Sequence, residues 1–401
     1  MIECRTIKEL CSVVVDCPHS TPTWTAEGKI VVRSNNIKNG RIDFSSPSYT
    51  DDEHFQQRIK RATPQGGDII ITREAPMGEV GMIPEGIVCC LGQRMVLLRA
   101  NPEICDNYYL LYSLQSRYVQ HQISWSEGTG TTVSNLRIPH LEQLKIPYLP
   151  LSKQRQVSSV LRCLEGKIEQ NRVINDNLQQ QLRTIFRAKF TDNPELERIE
   201  RKPLSELCNV VTKGTTPTTL GKSFVESGIN FIKAESILDD HSIDKSKFAF
   251  IDEETNTLLK RSVIHAGDVV FTIAGTLGRF ALIDDSVLPA NTNQAVAIIR
   301  VDAKKILPEY IYTCFIGGWH TDYYTKRVQQ AVQANLSLTT IKSLPIPVLD
   351  KGEMDEYLRL ILPIIKAIKG NEAQNENLAM LRDSLLPKLM SGEIDVSNIQ
   401  L

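Results

Sequence analysis

The chain repeats itself at a constant distance. Residues 141–147 read LEQLKIP and residues 341–347 read IKSLPIP, 200 positions later. Other pairs hold the same offset: Gly67-Asp68 with Gly267-Asp268, Asn135-Leu136 with Asn335-Leu336, and Ile146-Pro147 with Ile346-Pro347. Each Gly-Asp opens an apolar run, DIIIT or DVVFT, and a glycine follows at Gly78 or Gly278. Asn171, Asn175 and Leu178 match Asn371, Asn375 and Leu378, while Arg33 and Ile37 match Lys233 and Ile237. One or two such pairs could arise by chance. A sustained register with the same order of elements points to a duplicated unit.

A chain of 401 residues is too long for one compact core. The repeat predicts two globular domains in tandem, residues 1–150 and 200–347, each followed by a long helix, 151–191 and 350–391. The globular parts mix short β-type runs (GKIVVRS, GDIIITRE, QRMVLLRA; INFIKA, GDVVFTIAG, QAVAIIRV) with helical stretches near 107–122 and 309–328. Glycine and proline punctuate them. The fold class is α/β of the mixed α+β kind.

Both helices carry an apolar stripe in steps of three and four. The first runs through Val157, Leu161, Leu164, Ile168, Leu178, Leu182 and Ile185, the second through Tyr357, Ile361, Ile364, Ile368, Leu378, Leu381 and Leu385. Two striped helices separated by a globular domain predict an antiparallel, coiled-coil-like spacer with pseudo-twofold symmetry. Its asparagines near mid-stripe are read either as polar residues that fix register or as solvated positions. Pro363 predicts a kink or break in the second helix. A spacer with two related heads suits a partner with twofold geometry, of which DNA is the leading case.

Composition excludes several functions. Net charge is −1, against a free-standing nucleic-acid binder that works through bulk charge. No apolar run reaches the ~18 residues of a membrane span, and no secretory leader is read at the start, so a cytoplasmic location is expected. The nine cysteines include no Cys-x-x-Cys pair, and Cys4, Cys11, Cys17 and His19 have no standard zinc spacing. No phosphate-binding loop, nucleophile elbow or metalloprotease helix occurs. The pattern points to binding, not catalysis.

With these residues in view, the chain resembles the specificity subunits of type I restriction–modification enzymes. The resemblance covers nearly the full length. It is strongest in IPYLPLSKQRQVSSVLRCLEGKIEQNRVINDNLQQQLRTIFRAKF, in ENLAMLRDSLLPKLMSGEI, and in the repeat of two divergent heads with two related helices. It implies that each head is a target recognition domain reading one half of a split, asymmetric site in double-stranded DNA. It also implies that the helices space the heads and dock two adenine methyltransferase subunits, which restriction/translocase subunits join. S-adenosylmethionine, ATP and magnesium would be bound by those partners and none by this chain. Many members carry Pro-Leu-x-Glu-Gln where head meets helix; here the junctions read PLSKQRQ and VLDKGEM.

Base readout needs Arg, Lys, Asn and Gln side chains, and phosphate contacts need cations and small polar donors. The densest such stretch in the first head is RSNNIKNGR, supplying Arg33, Asn35, Asn36, Lys38 and Arg41 after a strand pattern. Arg73 follows the next strand. GTGTTVSN and VQQAVQAN, ahead of the two junctions, offer Thr131, Thr132, Gln330 and Gln333. Lys213 and Thr215 open the second head, and Lys233 stands where Arg33 stands in the first. The alternative is a duplicated coiled-coil adaptor that reads no DNA.

Overall fold

The computed structural model describes residues 3–38, 40–74, 76–125, 135–192, 199–321, 323, 325 and 335–396. In the first half, apolar runs pair into an antiparallel sheet in the order Cys11–Asp16, Met95–Ala100, Ile69–Thr72, Val80–Met82. The strand Ile69–Thr72 is apolar on both faces because both are covered. Ile69, Ile71, Val96 and Leu98 turn toward one cluster with Ile7, Leu110, Leu114 and Ile146, whereas Ile70, Met95 and Leu97 turn toward another with Val32 and Leu91. This is the two-residue alternation of a strand feeding two layers. A second sheet orders Ser48–Thr50, Lys29–Val32 and Cys89–Leu91, the last two parallel.

The second half repeats both sheets in the same order. One is Cys208–Lys213, Val296–Val301, Val269–Thr272, Phe280–Leu282; the other is Ala249–Ile251, Ile229–Ile232, Ala290–Thr292.

The doubled junction closes each head on its own beginning. Lys145–Pro147 pairs antiparallel with Cys4–Thr6, and Pro345–Val348 pairs with Glu200–Pro203. Two-stranded ribbons have free edges, where proline costs no ladder hydrogen bond. The Gly-Asp pairs also act twice. Gly67 and Gly267 turn at φ +84 and +83, a region glycine enters without steric cost. Asp68 and Asp268 are buried and each takes a two-pronged grip from an arginine, Arg99 at 2.8 and 2.7 Å and Arg300 at 2.7 Å through both nitrogens. The two arginines sit 201 residues apart, one position off the common register, so the repeat does not reveal them.

The central helix spans Leu151–Phe186 and ends in a wider π turn over Arg187–Thr191. The distal helix spans Lys351–Met390 without interruption, so the break expected at Pro363 does not occur. Pro363 is exposed, and so is Arg359, whose carbonyl has no helical donor at 363. In the first head the helix expected over 107–122 is divided. It ends at Gln115, and Ser116 caps a new helix, Arg117–Ser124, by accepting from the Val119 amide. The corresponding helix of the second head is Pro308–Ile316. Among the described residues no helix is long and apolar enough to cross a membrane, and no group of three or more His, Cys, Asp or Glu is placed to hold a metal ion.

The chain divides into two compact units, Met1–Ile168 with Glu376–Leu401, and Glu169–Asn375. In the first, Val157 and Leu161 of the central helix share one cluster with Leu389, Met390 and Val396 and with Tyr109 and Tyr112 of the head. Glu165 accepts from the Tyr112 hydroxyl at 2.9 Å and pairs with Arg382 at 3.5 Å. In the second, Leu182, Phe186 and Phe190 join Tyr357, Ile361, Ile365 and Ile368 in the core of the head itself. Asn171 donates to Gln374 at 2.7 Å and Asn375 at 2.9 Å, Asn371 donates to Asn175 at 2.8 Å, and Asn175 donates to the Ile368 carbonyl at 3.2 Å. Residue numbers rise on one helix as they fall on the other, so the pairing is antiparallel. Asn171 and Asn175 are 0% and 8% exposed, which decides for a buried register contact over a solvated face. Of the expected stripe, Ile365 is buried in place of Ile364, and Leu381 is exposed.

Candidate nucleic-acid interface

Strand register gathers one set of loops at one end of each head. In the first, Asp16 ends its strand beside Val96, Thr72 ends beside Met95, and Val32 ends beside Leu91. The loops after those residues therefore meet the Gly92–Arg94 turn. Backbone hydrogen bonds tie them together: Cys17 to the Met95 carbonyl at 3.0 Å, Gly92 to Val32 at 2.8 Å, Arg73 to Arg94 at 2.8 Å, and Leu136 to Arg73 at 3.0 Å.

Arg33 lies on this surface, exposed, with its guanidinium carbon 5.2 Å from the centre of the Trp24 ring. Asn36 folds back so that its side-chain oxygen accepts from the Arg33 amide at 2.9 Å, and Asn35 is exposed. Gln93 reaches the His19 carbonyl and Thr21 across the loops. Beneath them lies Arg58, which the sequence reading did not single out. It is buried and donates to four main-chain carbonyls: Leu91 at 2.8 Å, Gly92 at 2.9 Å, Ser20 at 3.1 Å and Pro18 at 3.3 Å. Desolvation lowers its pKa, opposed by the neighbouring Cys90 and Cys17. These bonds lock the loop after Asp16 to the Gly92 turn. Nothing in DEHFQQR distinguishes Arg58 from a solvated helix arginine.

Other candidates are placed differently. The Arg73 side chain is only 11% exposed and is consumed inside the head. It donates to both Asp16 carboxylate oxygens at 3.0 Å, to Asn135 at 3.1 Å and to the Leu136 carbonyl at 2.9 Å. Four of the five guanidinium N–H donors are occupied inside the head, so Arg73 holds the loops together. Lys38 and Arg41 sit on a short hairpin, Ile37–Lys38 with Arg41–Ile42, and Arg41 donates toward the central helix, to the Glu165 carbonyl at 3.4 Å. Thr131, Thr132, Gln330 and Gln333 lie outside the described residues.

The second head builds the same end with other side chains. Lys213 ends its strand beside Ala297, Thr272 beside Val296, and Ile232 beside Thr292. Only glycine fits at 214, because an added Cβ would stand 1.8 Å from the Thr292 carbonyl oxygen. Arg261, exposed, donates to the Lys213 carbonyl and the Thr215 hydroxyl, both at 3.5 Å, and Thr216 bonds Gln294. Lys233 pairs with Glu235 at 2.6 Å. Behind the loops, Ser262 donates to Asn291 at 2.8 Å, and Asn291 donates to Asn256 at 2.9 Å.

The structure thus brings Arg33, Asn35 and Asn36 onto the loop end of one head, and Lys213, Thr215 and Lys233 onto that of the other. Cations, amides and hydroxyls on loops braced from beneath are the donor set for phosphates and base edges.

Comparison with known proteins bears on the same halves. A family model described as the type I restriction modification DNA specificity domain matches residues 3–180 and again residues 197–378. The type I restriction enzyme MjaIX specificity subunit of Methanocaldococcus jannaschii is 21% identical over 348 residues, covering 83% of this chain and 79% of the relative. The EcoKI specificity subunit of Escherichia coli is 22% identical over 395 residues, covering 91% and 82%. The crystal structure of a type I restriction–modification S subunit from M. genitalium shares the fold with a TM-score of 0.53 at 17% identity, over 97% of this chain and 96% of that one. With the domain matched in both halves, the chain belongs to the type I restriction–modification DNA specificity family, whose members are the non-catalytic specificity subunits of those enzymes.

Proposed function

We propose that each head reads one half of a bipartite, asymmetric site in double-stranded DNA, and that the long helices dock two adenine methyltransferase subunits, to which restriction/translocase subunits add. S-adenosylmethionine, ATP and magnesium belong on those partners, and the assembly works in the cytoplasm. One observation carries the reading. The same backbone end of the head occurs twice, and the side chains displayed there differ: Arg33 and Asn35 against Lys233 and Glu235. A duplicated frame with divergent display suits two different half-sites and one kind of docking partner.

The test is selection from a randomised duplex library by the chain assembled with its methyltransferase partner. The expected product is two short defined blocks separated by an undefined spacer of fixed length. Arg33→Ala then relaxes one block, or weakens binding evenly if the contact is to phosphate. A complex that retains all sequences equally would overturn the reading in favour of an adaptor.

A further inference from the structure

The loop end of each head carries an aromatic ring in the same turn. In the first head the turn is WTAEGK from Trp24, in the second FVESGI from Phe224, again 200 residues on. The backbones agree closely. Thr25 donates to the Tyr49 carbonyl at 3.1 Å and Val225 to Phe250 at 2.9 Å. Gly28 and Gly228 have φ of +136 and +151, and an added Cβ would stand 2.4 Å from the Thr50 oxygen or 2.5 Å from the Ile251 oxygen. In both copies the aromatic stays in solvent, Trp24 at 46% and Phe224 at 39% exposure. The Arg33 guanidinium lies 5.2 Å from the Trp24 ring centre, and a cation, Lys233, likewise follows nine residues after Phe224.

A single exposed aromatic means little, since scattered apolar residues are normal on protein surfaces. Recurrence in a repeat with few identities is different. The turn, its glycine, the ring and the matched cation are kept while the residues around them change, and nearly half of Trp24 stays open to solvent. A flat apolar face with a guanidinium beside it, as in the first head, matches one chemical surface well: a deoxyribose and base edge next to a phosphate. We propose that Trp24 in the first head and Phe224 in the second lay their rings against the sugar and base edge of the bound duplex, while Arg33 and Lys233 take the adjacent phosphate. This rests on the DNA-reading function proposed above and adds the ring as its apolar contact. The heads are not equal. Phe224 leans edge-on against the buried Phe231 at 5.3 Å, and Lys233 is held by Glu235. Among the described residues Trp24 and Arg33 have no such restraint, so the first head gains more from its ring.

The experiment uses the chain assembled with its methyltransferase partner and a labelled duplex carrying the sequence that the wild-type complex selects. Trp24→Ala weakens binding by roughly 5- to 100-fold, the range found for loss of one aromatic–base contact, and Phe224→Ala weakens it less. Trp24→Phe keeps most of the affinity. On a duplex with the first half-site scrambled, Trp24→Ala and wild type bind alike. Trp24→Gln repeats the test with a polar side chain that suits an exposed position. Binding of the selected duplex at wild-type strength by both variants overturns the inference while the reading of DNA stands. A wild-type complex that selects no sequence overturns both.

Discussion

The two units carry the same strands in the same order, yet they join the long helices in different ways. In the second, the helices enter the core of the head. Phe186 and Phe190 meet at 4.7 Å with their rings tilted, and Phe190 meets Tyr310 and Tyr357 edge-on at 6.1 and 5.5 Å. Gly317 makes the room, since a Cβ there would stand 2.1 Å from the Phe186 ring. In the first, the sheet core and the helix cluster are separate, joined through Tyr109, Tyr112 and the Glu165 hydrogen bond. The loop ends differ similarly: a buried arginine braces one, a neutral Ser262–Asn291–Asn256 network the other. Backbone topology survives divergence because register and closure depend on few residues. Packing and bracing are solved afresh in each copy.

The largest predicted effect breaks this comparison at the second core. Phe190→Ala removes a fully buried ring and costs about 3–5 kcal/mol. Hydrogen exchange followed by peptide should show protection lost over 199–321 and kept over 69–100. Equal loss in both would mean that the two units do not have separate cores.

Acid should also separate them. His241 and His320 lie in the second core, stacked on or edge-on to Phe280 at 4.0 and 5.6 Å. Burial lowers their pKa from 6.5, His241 to about 4 and His320 to about 3, with Arg183 also pushing His241 down and Asp240 opposing. The unfolded chain takes up these protons first. Stability is therefore full above 6.5 and falls as pH drops, the His241 share levelling below about 4 and the His320 share below about 3. His241 alone is worth roughly 3 kcal/mol over that range. Melting curves between neutral pH and pH ~5 should show the second unit losing more, and His241→Asn, which suits the positive φ there, should flatten its slope.

Arg58→Met sharpens the comparison at the loops. It leaves four carbonyls without a charged donor, at a cost of about 1.5–3 kcal/mol. It should blur the half-site that we propose the first head reads, and leave the other intact, in a selection experiment. Unchanged selection would remove Arg58 from the positioning role. The smallest effect is at the register contact. Asn171→Leu should change stability by less than about 1.5 kcal/mol, because the Gln374 and Asn375 oxygens it releases belong to an exposed and a half-buried side chain that water can reach. Disulfide trapping between cysteines placed at 168 and 379 and at neighbouring positions should then show more than one helix register.

The duplication, the mixed fold, the paired helices and the strand-end position of Arg33 were legible because they rest on periodicity and repeated anchors. Arg58 was not, since an arginine buried against carbonyls leaves no local pattern. The occupation of Arg73 was hidden for the same reason: Asp16 and Asn135 meet it only through the fold. Pro363 misled because local propensity says nothing about which face of a helix meets water. Trp24 and Phe224 could have been found, for the offset of 200 links them as plainly as it links Arg33 and Lys233.

The most direct test of the central claim is a map of methylated adenines in a host carrying the methyltransferase partner, with the wild-type chain, without it, and with Arg33→Ala. The account predicts one split motif that vanishes without the chain and changes in one half only, or is methylated less completely, with Arg33→Ala. A motif that persists unchanged without the chain would contradict it.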